Sequence, residues 1–278
     1  MEKISFSDLK SHLNYIFCSR DVSTLYLTDD NRIFKKFNSD YLVDSLNDGY
    51  NFESKVLEYS YLIDVNNIIV PDCVVYDSDT FIGYTMPYFN GVSIYDLVYC
   101  NNGFFSLKNL TGFFVNLENI VRNSKNIVFP DILTDGNILV SNTDIALIDY
   151  DGLQICDSLT PDFSTALGDK VNYIDTKYMN DCAYTKEMDI KSLIYLYFSL
   201  VFDYDLSELD ECCSDIRIRV QNIFDMLGID NYSLYDKVCR LYNNDVNNIY
   251  LGDTIFELAD KYEIDVSSYD CTKRFVRK

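Results

Sequence analysis

The 278-residue chain has no tryptophan and a single histidine, His12. Ser-His-Asp catalysis, Cys-His catalysis and histidine-rich zinc sites would therefore have to be built on His12 or do without imidazole. Basic residues are also scarce: 23 Lys and Arg stand against 44 Asp and Glu, a formal net charge of −21. A surface of that sign repels phosphate backbones and anionic lipid, which argues against nucleic-acid or membrane-surface binding as a main role. Four prolines and ten glycines punctuate the chain, with no linker, repeat or low-complexity tract. The longest apolar run, Leu193 to Phe202, is well short of the roughly 20 residues that a membrane-spanning helix needs. The first residues lack the basic segment and apolar stretch of a secretory signal. The nine cysteines are odd in number and show no C-x-x-C spacing, so they are expected to be free thiols in a reducing compartment, the cytoplasm or a host cytosol.

Apolar residues make up 48% of the chain and aromatic residues 15%, too many for an acidic disordered tail. The charge must lie outside a real core, and the available chemistry is that of carboxylates, lysines and hard metal ions. Short alternating runs fill the first third: 15–18, 24–27, 32–37, 68–70, 74–76 and 81–86 are predicted strands, separated by turn clusters such as 28–31 and 77–79. One helix interrupts them between Tyr50 and Ile63, where Phe52, Val56, Tyr59 and Ile63 recur at helical spacing. Beyond Gly91 the pattern is helical over 93–98, 107–123, 189–202, 215–227 and 234–242, with a small hairpin (138–140 and 145–149) turning at 141–144. The pattern predicts an α+β chain of two lobes, residues 1–89 sheet-rich and residues 90–278 mostly helical.

The hairpin carries the most informative residues. Asp131 and Asn137 precede its first strand, and Asp149 ends its second, twelve residues after Asn137. A carboxylate and an amide joined across a hairpin are hard oxygen ligands suited to Mg²⁺, and an upstream aspartate can accept or orient the proton of an attacking hydroxyl. The stretch from Phe129 through Asn137 to Gly152 resembles the catalytic loop and DFG-type segment of the protein-kinase-like fold. The resemblance implies that Asp131 orients the acceptor hydroxyl and that Asn137 and Asp149 bind magnesium.

Three further segments are similar to the same family. The helix beginning at Asp189, with Ser192 three residues on, resembles its central helix F, so Asp189 is implied to accept from catalytic-loop amides. Ile33 to Phe37 resembles the strand carrying its phosphate-binding lysine, and Glu53 begins a helix eighteen residues after Lys35. Lys35 and Glu53 are thereby implied as the ion pair that positions the nucleotide phosphates, with Lys36 and Glu58 as alternatives. Gly83 to Gly91 looks like the hinge, with adenine at the backbone of Met86 to Tyr88. The implied cofactors are ATP and Mg²⁺, and the implied partner is a protein substrate, basic by charge complementarity.

The chain departs from the family pattern at several points. The turn that should cover the phosphates, Ser19 to Tyr26, holds no glycine, and Ser19, Ser23 and Thr24 are the side chains available to replace backbone contacts. Phe129 and Pro130 stand in place of the family's His and Arg, which leaves no cation to answer a phosphorylated activation loop. One extra residue separates Asp131 from Asn137, so Asp135 competes with Asp131 for the acceptor role. Asp151 stands where the family has glycine and reads as a turn residue or a further magnesium acceptor. Residues 153–188 resemble an activation segment, with Thr160, Ser164, Thr165, Tyr173, Thr176 and Tyr178 as acceptors. Three functions remain open: a Ser/Thr protein kinase, a pseudokinase that binds nucleotide or a partner without turnover, and a small-molecule kinase of the aminoglycoside or choline type.

Overall fold

The computed structural model describes residues 1–19, 21–63, 67–94, 107–124, 126–129, 132, 136–141, 144–156, 179–180, 183–184, 189, 192–193, 215–227 and 230–242. It is a mixed α/β structure dominated by a six-stranded sheet in the order β1-β5-β6-β4-β3-β2. The strands are β1 (Glu2–Ser5), β2 (Leu13–Ser19), β3 (Ser23–Thr28), β4 (Arg32–Phe37), β5 (Cys73–Asp77) and β6 (Thr80–Pro87). Neighbouring pairs are antiparallel except β1 with β5, which is parallel. The alternating runs that predict strands from 15 to 86 lie in β2 through β6, apart from 68–70, where Ile68 makes only an isolated bridge to Leu147. Strand β1 was not expected, since it buries no residue and is held by backbone pairing with β5.

A short helix α1 (Phe6–Leu9) follows β1, and two helices fill the connection from β4 to β5: α2 (Ser39–Asn47) and α3 (Phe52–Tyr59). Asn38 caps α2, accepting from the Asp40 amide at 3.0 Å, and Asn51 caps α3, accepting from the Ser54 amide at 3.0 Å. In α3 the residues Phe52, Lys55 and Val56 face the core. Phe52 stacks on Phe37 of β4 with ring centroids 4.9 Å apart, and this contact sets the rotation of the helix against the sheet.

Beyond the sheet, β7 (Val92–Ser93), β9 (Ile138–Val140) and β10 (Ile145–Leu147) form a three-stranded sheet in the order β10-β9-β7. Ser93 therefore lies in a strand rather than at the start of the expected helix, whose residues 95–98 fall outside the described set. Helix α4 (Leu107–Asn123) has its expected bounds and buries Leu117, Ile120 and Val121. Strands β8 (Ile127–Val128) and β11 (Gln154–Ile155) pair with each other, as do β12 (Met179–Asn180) and β13 (Ala183–Tyr184). Helices α5 (Ile216–Leu227) and α6 (Tyr232–Tyr242) follow. Among the described residues no helix is long and apolar enough to cross a membrane.

Residues 67–69 staple the hairpin to the rest of the structure. The Leu147 amide donates to Asn67 O at 2.8 Å, the Ile69 amide to Leu147 O at 2.9 Å, and the Asn67 side-chain amide to Ile145 O at 2.7 Å. This fixes the end of β10, where Asp149 begins. On the sheet side, Gly83 of β6 has φ +154°, and a Cβ there would lie 2.0 Å from Lys35 O. Only glycine allows β6 to approach β4 at that point. Gly83→Ala is expected to destabilise the fold by about 2 kcal/mol or more, seen in urea unfolding as a lower midpoint with an unchanged slope.

Candidate active site

Lys35 lies on β4 between β3 and β6, with Leu25 and Tyr84 as its register partners. Cross-strand partners share a face, so Lys35 points with Ile33, Phe37, Tyr84 and Met86 toward the hairpin side. Lys35 is 6% exposed, and its ammonium donates to Asp149 Oδ1 and, at 2.7 Å, to Asp151 Oδ1. Lys36 faces the other way, with its Nζ 4.8 Å from the centroid of the Phe6 ring. The alternation of β4 alone separates the two lysines.

Asp149 sits at the junction between β10 and a short 3-10 turn, Tyr150–Gly152, in the left-handed conformation at φ 70°, ψ 57°. Aspartate tolerates this region better than most residues, but holding it there still costs energy, as is common at functional sites. The Gly152 amide donates to Asp149 O at 3.0 Å, closing the turn. The Ile148 amide donates to Asn137 O at 3.0 Å, and Asn137, Ile148, Asp149 and Gly152 line one small cleft. Asn137 and Asp149 thus border the same cleft.

Asp151 is the residue whose position the sequence least foretold. It occupies a turn, as expected, but is buried, and its Oδ1 accepts from the Tyr84 hydroxyl at 2.6 Å as well as from Lys35. Lys55 is the second unforeseen residue. It is buried on the inner face of α3 and its Nζ donates to the main-chain carbonyls of Leu153 and, at 2.8 Å, Asp151. The Tyr150 hydroxyl returns a bond to Lys55 O at 2.9 Å. A signal for Lys55 exists in the sequence: it falls three residues after Phe52 and one before Val56, on the apolar stripe of the helix.

Glu53 requires a correction. It does not pair with Lys35; its Oε1 accepts from the Tyr76 hydroxyl, and Glu58 is exposed. With Phe52, Lys55 and Val56 turned inward, a residue one place after Phe52 is rotated about 100° off that face. The helix therefore presents a cation to the site where the resemblance implied an anion.

The other expected residues divide into two groups. Asp189 is fully buried, and the Phe129 amide donates to its Oδ1 at 2.7 Å, joining the start of the 129–137 loop to the residue at 189. Met86 is buried opposite Ile33, and the Tyr88 amide donates to Asn31 O at 3.4 Å. Ser19 and Ser23 pair at the end of the β2–β3 hairpin, with Ser23 buried opposite Phe37 on the Lys35 face. Asp131 and Asp135 lie outside the described residues, as do the six hydroxyl acceptors from Thr160 to Tyr178.

The electrostatics separate the two carboxylates. Burial alone would lower the Lys35 pKa, but the charges of Asp149 and Asp151 outweigh it and hold the ammonium charged. Asp149 is pushed up, by burial and by repulsion from Asp151. Asp151 is held below its ordinary value because Lys35 and the Tyr84 hydroxyl overcome the cost of its burial. Both carboxylates accept from the Lys35 ammonium, and the Asp151 carboxylate also accepts from Tyr84. No protein-family model matches the sequence, and no curated protein matches it.

Burial lowers the Lys55 pKa from 10.5 to about 8, against the partial support of Asp151 and Asp149. Between these values the unfolded chain binds the proton more tightly than the folded one. Stability should therefore carry a penalty below pH 8 that is relieved as pH rises toward 10.5. The expected outcome is a positive slope of unfolding free energy over that window in the wild type that is absent from Lys55→Met, measured by urea unfolding at a series of pH values.

Proposed function

We propose that the chain is an ATP- and Mg²⁺-dependent phosphotransferase of protein-kinase-like architecture that transfers the γ-phosphate to Ser or Thr hydroxyls of a protein. The observation that carries this reading is the meeting of Lys35 with Asp149 across 114 residues of chain, with Asn137 on the same cleft as Asp149. A sheet lysine beside a hairpin aspartate and amide is the arrangement that phosphoryl transfer needs for gripping phosphates and holding their metal. The bond from the Phe129 amide to Asp189 supports it from a separate part of the sequence.

The donor set fits the implied metal. Asn137 and Asp149 offer hard oxygens from residues that line one cleft. Mg²⁺ held there would neutralise charge on the phosphates. Lys35 would bind the α- and β-phosphate oxygens, Asp131 would orient the acceptor hydroxyl, and Met86 to Tyr88 would border the adenine. Catalysis of this kind rests on positioning and electrostatic stabilisation rather than on covalent participation by the protein.

A nucleotide-binding pseudokinase is the second reading. It is favoured by the glycine-free turn between β2 and β3 and by the extra residue between Asp131 and Asn137.

Incubation with Mg²⁺ and γ-labelled ATP, with and without a generic basic protein, tests both readings. Label transfer is expected in the wild type and is expected to fall at least about 100-fold in Asp149→Ala. Nucleotide-dependent thermal stabilisation without transfer would favour the pseudokinase, and no nucleotide effect at all would remove both readings. At a net charge of −21, basic peptides should be phosphorylated faster than acidic ones at low salt, and the difference should shrink as salt is added.

A further inference from the structure

We infer that Asp151 is the positioning residue for Lys35, and that Lys55 anchors the backbone of the turn carrying Asp151 to helix α3. This rests on the phosphotransferase reading and assigns, within that site, the task that the family resemblance gives to a glutamate on the helix.

The argument begins with what must happen at Asp149. A carboxylate that ligates magnesium cannot also serve as the sole anchor of the lysine, so Lys35 needs a second partner that the metal does not claim. Asp151 meets that requirement. It lies 2.7 Å from Lys35 Nζ and is 5% exposed. Its Oδ1 also accepts from the Tyr84 hydroxyl. Lys35 and Tyr84 are register partners on β4 and β6, so one carboxylate clamps a cross-strand pair and fixes the direction in which the ammonium leaves the sheet.

The turn itself is fixed from the opposite side. Lys55 donates to the carbonyls of Asp151 and Leu153, and the Tyr150 hydroxyl donates to Lys55 O. These bonds use the main chain of the turn and leave the Asp151 carboxylate for Lys35. Glu53 is engaged by Tyr76 and takes no part. The aim of Lys35 is thus set by the 150–153 turn, which Lys55 ties to α3.

Two measurements on the full chain test this. In urea unfolding without nucleotide, the double-mutant cycle of Lys35→Met with Asp151→Asn should be non-additive by about tenfold or more in the unfolding equilibrium constant. The cycle of Lys35→Met with Glu53→Gln should be additive within about twofold. Titrations then compare adenosine with the Mg²⁺ complex of a non-hydrolysable ATP analogue. Asp151→Asn should weaken the analogue about tenfold or more and leave adenosine within about twofold, because only the phosphates need an aimed lysine. If Asp151→Asn does not fold, Tyr84→Phe keeps the ring packing and should show the same phosphate-selective loss at about threefold. Equal weakening of both ligands, or coupling of Lys35 to Glu53 instead of Asp151, would overturn the assignment. A wild type that binds neither ligand would overturn the phosphotransferase reading and this role with it, whereas a binding wild type with an additive Lys35–Asp151 cycle would overturn this role alone.

Discussion

The structure around the site depends on one buried ammonium group, that of Lys35, and on the two carboxylates that receive it. An uncompensated charge at that depth would cost several kcal/mol, and truncating one partner of such a pair is correspondingly disruptive. The six-stranded sheet can therefore bury Lys35 only while the hairpin end and the 150–153 turn remain docked against it. Asp149, Tyr150 and Asp151 are consecutive, so docking of this short segment also fixes the Asp149 carboxylate.

The docking is enforced from three directions. The 67–69 staple holds β10 by its backbone, Gly83 lets β6 approach β4 closely enough to bring Tyr84 beside Lys35, and Lys55 reaches the turn from α3. Each restraint ends on main-chain groups, the carbonyls of Ile145, Leu147, Asp151 and Leu153 and the backbone of β4 among them. The hairpin end and the lysine strand consequently form one framework, and the strained conformation of Asp149 is maintained by its surroundings rather than by local preference.

Much of the secondary structure was legible. The period-2 runs from β2 to β6 and the apolar stripe of α4 are strong because each element buries one face. Helix α2 was missed because its apolar residues do not form a clean stripe: Val43 and Leu46 are exposed. Strand β1 was missed because backbone pairing leaves little pattern in the side chains. Lys35, Asn137, Asp149 and Asp189 stood out as motif residues, and three of them enter the described contacts at the site or its loop while Asn137 lines the cleft. Lys55 and Tyr84 did not stand out, since a lysine in a helix and a tyrosine in a strand have ordinary solvent-facing and core roles.

The composition by itself determined the kind of chemistry available: with His12 as the lone imidazole and 44 acidic side chains, a site must draw on carboxylates, amides and lysines. The order of residues determined the local periods, and with them which of two adjacent lysines faces inward once the strand is formed. Only the tertiary structure decided which acid answers Lys35. That choice follows from the stacking of Phe52 on Phe37, which turns Lys55 inward and Glu53 away. Ion pairing is decided by distance in space, and the rotation of a helix against a sheet is set by packing between residues that the sequence does not show to be neighbours.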